Sequence, residues 1–252
     1  MQQALRLERP DGHTIAYLKR PAKAKGPGVL WLSGFKSEMT GTKATALDAW
    51  AERTGRGYTR FDYFGHGASS GDFVEGTVSR WRDDALAVLD ALTEGPQLLV
   101  GSSMGAWIAL LAALARRERV AGMVLIAPAT DFTEALLWPR LPAEARRQIE
   151  SDGVWLRPSA YDPDPYPITR GLIEDGRKHL LLGAPIAVRV PVHIQHGMED
   201  PDVPWTHAGR LVERLESSDV TLELVKGGDH RLSTAPEIAR LESRIEQMLA
   251  RL

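Results

Sequence analysis

The chain has no cysteine, which excludes disulfides, thiolate nucleophiles and cysteine-based zinc sites outright. It also lacks an excess of charge of either sign. Its 31 basic and 33 acidic residues give a net charge of −2, so no basic field exists to hold nucleic acid or an anionic membrane. No uninterrupted apolar run approaches the length of a membrane span, and no integral membrane association is expected. The first ten residues lack the basic-then-apolar layout of a signal peptide, and a soluble cytoplasmic protein is expected. Internal repeats and low-complexity tails are missing too. What is present is ordinary for a large soluble domain: 252 residues, 43% hydrophobic and 25% charged, enough for a sizeable core with length to spare for an insertion.

Short apolar runs alternate with helical periodicity along most of the chain. Strands are expected at residues 13–19, 29–32, 58–63, 98–100, 120–127, 192–195 and 220–225. Helices are expected at 42–53 (Ala46, Leu47, Ala49 and Trp50 on one face), 81–92 (Leu86, Leu89 and Leu92) and 205–215. A last helix begins at Thr234, where Thr234 and Glu237 have capping-box spacing, and buries Ile238, Leu241, Ile245 and Leu249. This alternation predicts an α/β fold with a mostly parallel sheet covered by helices on both faces. Residues 131–190 break the rhythm with Trp138, Pro139, Pro142, Trp155, Pro158 and the proline-rich run 161–167, and with helical pieces at 143–150 and 168–182. Prolines this dense do not fit a central strand. The expected organisation is a core of 1–130 and 191–252 with 131–190 inserted as a lid, over the strand ends where parallel sheets bind ligands.

The most informative pentapeptide is Gly101-Ser102-Ser103-Met104-Gly105, between an apolar run and an apolar helical run. Strand, tight turn and helix in that order match a nucleophile elbow, with Ser103 at the apex and its hydroxyl clear of the strand. A serine hydroxyl needs an imidazole to take its proton, and the imidazole needs a carboxylate to orient it. His230 follows the last predicted strand on a glycine-rich loop, Gly227-Gly228-Asp229-His230. Glu199, Asp200 and Asp202 compete as the acid after strand 192–195, and Asp200 has the best register. The order Ser103, Asp200, His230 is that of α/β-hydrolases. Candidate oxyanion donors are the backbone N–H groups of Phe35 and Met104. His196 reads as support for the acid turn, His66 as turn architecture between two glycines, and Asp62 as a buried acceptor for loop N–H groups. His193 and His196 fall on opposite faces of one strand, so they form no zinc pair, and no metal or cofactor is expected.

Two phosphate-binding readings fail on register. Residues 34–43 run from strand to helix as a phosphate loop would, but Thr42 separates Gly41 from Lys43. Residues 65–70 have Ser70 where a dinucleotide fingerprint requires its third glycine.

Six blocks carry a family likeness: residues 31–44 (WLSGFKSEMTGTKA), 101–105 (GSSMG), 153–155 (GVW), 196–200 (HGMED), 203–205 (VPW) and 229–231 (DHR). On these the chain resembles the α/β-hydrolase superfamily, in the branch of the mitochondrial acyl-protein thioesterase, also described as an acyl-glucuronide esterase. The resemblance spans about residues 28–250. It implies hydrolysis of acyl thioesters or esters through Ser103, His230 and Asp200 under a lid, on a small molecule or an acylated protein. Ala106 stands where a second glycine often follows the elbow, a sterically minor departure. No import sequence is recognised, so a bacterial cytoplasmic relative is expected. Acyl-chain contacts are expected from Phe35, Trp138, Leu141, Trp155, Leu182 and Trp205. The alternatives are a carboxylesterase acting on small-molecule esters or acyl glucuronides, and a catalytically silent binding protein on the same fold.

Overall fold

The structure, a computed structural model, describes residues 3–158 and 165–252. An eight-stranded sheet forms its centre. The strands are β1 (Leu5–Glu8), β2 (Thr14–Arg20), β3 (Gly28–Leu32), β4 (Tyr58–Phe61), β5 (Gln97–Ser102), β6 (Val120–Ile126), β9 (Val192–Gly197) and β10 (Val220–Val225). Their spatial order is β1-β2-β4-β3-β5-β6-β9-β10. From β4 to β10 every pairing is parallel; β1 and β2 add an antiparallel edge. The carboxyl ends of β3, β5, β9 and β10 therefore open onto one edge of the sheet, and the loops after them meet there. β1 was not expected from the sequence: its Leu-Arg-Leu-Glu does alternate, but over only four residues that are largely exposed, the shortest run that can signal a strand.

The buried strands are covered on both faces, which explains their nearly continuous apolar sequence. Alternate side chains go to opposite layers. Leu30, Leu32, Leu99, Met123 and Leu125 join one core with α2 (Val78–Leu92), α3 (Met104–Ala115) and α6 (Trp205–Arg214). Val29, Trp31, Leu98, Val100, Val124 and Ile126 join the other with α1 (Thr42–Thr54) and α7 (Ala235–Leu249). The Trp50 indole N–H reaches Glu246 Oε1 at 2.9 Å and ties α1 to α7. Helix starts are chemically marked: the Thr77 side chain accepts from Arg80 N–H before α2, and Glu237 Oε2 accepts from Thr234 N–H at 2.8 Å before α7.

The segment after β6 leaves and returns at one point. Asp131, with φ of +58°, accepts the N–H groups of Leu181 and Leu182, each at 2.8 Å. Between them lie a π-helical turn (Thr133–Leu137), α4 (Ala143–Asp152), a two-stranded hairpin of β7 (Val154–Arg157) and β8 (Tyr166–Thr169), and α5 (Arg170–Gly176). The helix expected over 168–182 is thus strand at its start, α-helical over Arg170–Gly176, and ends in a 3-10 turn over Arg177–His179. Tyr166, Ile168 and Thr169 suit an extended chain, and the Thr169 hydroxyl caps α5 by accepting from Leu172 N–H at 3.1 Å. Pro167 is tolerated because β8 belongs to a two-stranded ribbon outside the main sheet. Residues 161–164 of the proline-rich run lie outside the described residues. Leu137, Leu141, Ala145, Ile149, Ile168 and Ile173 form a small core of their own, and Leu182, Ile186 and Val188 rejoin the main one. No helix among the described residues is long and apolar enough to cross a membrane.

Candidate active site

Ser103 sits between β5 and α3 with φ of +55° and ψ of −119°, a conformation an L-residue holds only under strain. The surroundings enforce it. A Cβ at Gly105 would stand 2.1 Å from Leu32 O, and one at Gly101 would stand 2.5 Å from Gly105 O. Ser103 N–H donates to Ile126 O at 2.8 Å, fixing the turn against β6. Strand and helix converge so closely that only glycine fits on either side of the apex.

The histidine loop after β10 and the acid loop after β9 are bound to each other. Met198 N–H donates to Val225 O and Glu199 N–H to Gly228 O, both at 2.9 Å. A Cβ at Gly197 would lie 2.3 Å from Gly228 O, which accounts for glycine there. This contact delivers His230 between the other two groups: Nδ1 lies 2.7 Å from Asp200 Oδ2, and Nε2 lies 3.0 Å from Ser103 Oγ. Hydroxyl, imidazole and carboxylate stand in one hydrogen-bonded row.

Asp200 is fully buried at its side chain. Burial pushes its carboxyl up, but hydrogen bonds from His196 and His230, the His230 charge and the Val203 N–H outweigh that and hold it well below the usual carboxylate range. Oδ1 accepts the N–H groups of Asp202 and Val203, each at 2.8 Å, leaving Oδ2 for the imidazole. His196 Nε2 lies 2.9 Å from Val203 O and 3.4 Å from Asp200 Oδ2. It braces the acid turn, as its position in the sequence suggested.

Phe35 and Met104 line the cavity with Ser103. Just beyond Phe35 the backbone N–H groups are committed elsewhere: Lys36 N–H donates to His66 Nε2 at 3.2 Å and Ser37 N–H to Gly34 O at 3.1 Å. Met104 opens α3, where the helix dipole favours negative charge. The Phe35 ring is wedged among Phe73, Trp81, Phe132 and Tyr166, with centroids 5.0–6.0 Å away. His66, read from sequence as turn architecture, is the residue that props this loop. Its Nδ1 donates to Phe64 O at 3.0 Å, so Nε2 is free to accept from Lys36, whose φ is +57°. Burial lowers its pKa to about 4, which keeps it neutral and an acceptor. Asp62 accepts from Met39 N–H at 2.6 Å and Ala68 N–H at 2.9 Å, as expected of it.

Above Ser103 opens a cavity of about 290 Å³. Its apolar walls come mainly from the inserted segment: Phe132, Leu136, Leu137, Leu141, Trp155 and Ile168. Of the expected acyl contacts, Phe35, Leu141 and Trp155 face this space, but Trp138, Leu182 and Trp205 do not. Trp138 packs into the inserted segment's own core, flanked by the Arg146 and Arg177 guanidiniums. Leu182 belongs to the main core, because the chain has already rejoined the body at Asp131. Trp205 begins α6 and is 38% exposed. Tryptophan and leucine content alone cannot tell a cavity wall from a packing face, and Phe132, Leu136, Leu137 and Ile168 gave no separate signal.

Asp200, Asp202 and His230 each offer a ligand atom within 4.8 Å of the others. Asp200 Oδ2 already accepts from His230 Nδ1 at 2.7 Å, and Asp202 Oδ1 lies 3.8 Å from the Arg157 guanidinium.

A sequence profile of the Alpha/beta hydrolase family matches residues 29–240. The bovine mitochondrial palmitoyl-protein thioesterase ABHD10 is 40% identical over 247 residues, covering 98% of this chain and 80% of the relative. Among solved structures, a putative hydrolase from Agrobacterium vitis superposes with a TM-score of 0.93 at 46% identity over 98% of both chains. Alpha/beta hydrolase domain-containing protein 10 from mouse superposes at 0.91, with 37% identity over 99% of both. The cytoplasmic expectation is corrected by these relatives: the bovine one is named as mitochondrial, which points away from the cytoplasm. Composition and the lack of a signal-peptide layout do not encode a compartment.

Proposed function

The chain belongs to the alpha/beta hydrolase family, and from that premise we propose that it cleaves acyl thioesters or esters through an acyl-serine intermediate on Ser103. The observation that carries this reading is the row of Ser103 Oγ, His230 and Asp200 at 3.0 and 2.7 Å. His230 Nε2 takes the hydroxyl proton as Ser103 Oγ attacks the acyl carbonyl. Asp200 accepts from His230 Nδ1–H, holds the tautomer and stabilises the imidazolium. The N–H groups of Phe35 and Met104 receive the developing oxyanion; each such donor is worth roughly 3 kcal/mol in the transition state. The tetrahedral adduct then expels the thiol or alcohol, with His230 supplying the proton. Water, deprotonated by the same imidazole, attacks the acyl-serine and frees the acid and Ser103.

Within the insertion expected at 131–190, the part between Asp131 and Leu181 acts as a lid whose apolar face, from Phe132, Leu136, Leu137, Leu141, Trp155 and Ile168, receives the acyl group. The relatives named as palmitoyl-protein thioesterases support an acyl thioester substrate, and the apolar walls of the cavity support an acyl chain longer than acetyl. The test joins active-site labelling to turnover. A fluorophosphonate should modify Ser103, and Ser103→Ala should lower hydrolysis of an octanoyl thioester at least about a thousandfold. A folded wild-type protein that neither labels nor turns over acyl esters would instead be a binding protein. Faster turnover of acetyl than octanoyl substrates would contradict the assignment of the lid.

A further inference from the structure

The spacing of Lys43 fails a phosphate loop, and the proposed chemistry leaves it without a role. Its position is nonetheless specific. It lies in the first turn of α1, half-buried, in the wall of the cavity that holds Ser103 and His230. Its ammonium donates to the backbone carbonyl of Arg231 and, at 3.2 Å, to Ser233 Oγ. The Ser233 hydroxyl donates to the same carbonyl at 2.9 Å. The carbonyl so gripped belongs to the residue immediately after His230. The loop is held at other points too: Gly228 O accepts from Glu199 N–H at 2.9 Å, Asp229 Oδ1 holds the N–H groups of Arg231 and Leu232, each at 2.9 Å, and Leu232 is buried. Leu232 is held at φ of +45°, so the backbone there is strained as well as gripped.

We propose that Lys43 is a positioning residue that clamps the His230 loop from α1 and keeps the imidazole in line with Ser103. This rests on the serine reading above. Charge strengthens the clamp, since a hydrogen bond from an ammonium is about twice as strong as a neutral one. Burial lowers the Lys43 pKa to about 8, with the Arg231 charge adding to it and Asp229 and Glu237 opposing. The charged groups around it are Asp229, His230 and Arg231 on the loop, Glu237 on α7, and Lys36 and Glu38 on the loop before α1. As pH rises through that value the ammonium loses its proton, the grip weakens and turnover falls.

Steady-state hydrolysis of an octanoyl thioester, followed from pH 6 to 9.5, tests this with wild type, Lys43→Met, Lys43→Arg and Ser103→Ala, each checked for folding by circular dichroism. Lys43→Met should lower kcat about ten- to a hundredfold with KM within about twofold, the penalty expected of a misaligned base. Wild-type kcat should decline above pH 8 towards the Lys43→Met level, whereas Lys43→Arg, charged throughout, should show no such decline. Wild-type kcat in Lys43→Met would overturn the proposal. So would a raised KM at unchanged kcat, which would make Lys43 a substrate contact, or an alkaline decline that persists in Lys43→Arg. If Lys43→Met does not fold, the Lys43→Arg profile decides alone. Should Ser103→Ala remain active, the serine mechanism itself fails; an inactive Ser103→Ala beside a fully active Lys43→Met sinks only the clamp.

Discussion

Replacing Asp200 by asparagine isolates one atom of the proposed machinery. Oδ1 of the carboxylate accepts two backbone N–H groups at 2.8 Å, and Oδ2 faces His230 Nδ1 at 2.7 Å. An amide has one oxygen and one NH₂, so it can satisfy only one side. Turning its NH₂ towards Asp202 and Val203 would strand two N–H groups at about 1–3 kcal/mol each. The oxygen therefore stays with the backbone and the NH₂ faces the imidazole. His230 must then accept at Nδ1, which puts its proton on Nε2, facing Ser103, and a protonated Nε2 cannot act as base. Loss of the tautomer costs about 10⁴ in kcat, or about 5.4 kcal/mol of barrier. KM should move less than about twofold, since the carboxylate does not touch substrate. Stopped assays on an octanoyl thioester and the rate of fluorophosphonate labelling should fall together, while the control Glu199→Gln stays within about threefold of wild type. A folded Asp200→Asn protein that keeps more than about a tenth of wild-type kcat would refute the reasoning.

Two further outcomes follow from buried groups around the site. His66→Ala removes the acceptor for Lys36 N–H and loosens the turn that presents Phe35, so kcat of the folded variant should fall about tenfold, less than the full loss of one oxyanion donor; an unchanged kcat would show that Phe35 is held by its ring contacts alone. Asp84 accepts Phe64 N–H at 2.8 Å, and burial raises its pKa from 3.8 to about 6. The folded state therefore binds this proton more tightly than the unfolded chain. Its contribution is full below pH 3.8 and is lost as pH rises through about 6. Asp84→Asn keeps an acceptor without a charge, and should be more stable than wild type at pH 8 by up to about 3 kcal/mol, at 1.36 kcal/mol per unit, with no gain below about pH 4. Urea unfolding at the two pH values checks this, and an equal difference at both would refute it.

The sequence by itself determined the alternation of most strands and helices, because a strand buried on both faces is apolar along most of its length and an amphipathic helix repeats near 3.6 residues. It also determined the elbow, since Gly101 and Gly105 are the only residues that fit where β5 meets α3. The capping of α7 is equally local, and Thr234 and Glu237 announce it. What only tertiary structure decided depends on contacts between distant segments. Asp200 stands out from Glu199 and Asp202 because its Oδ2 meets His230, a loop 30 residues away. Asp131 closes the inserted segment on Leu181 and Leu182, which sends Leu182 to the main core and leaves Ile168 and Leu137 facing Ser103. Lys43 and Arg231 lie 188 residues apart along the chain, and no local pattern records their contact. Periodicity and steric fit are written into neighbouring residues, whereas the partner of a side chain is set by how the whole sheet brings its loops together.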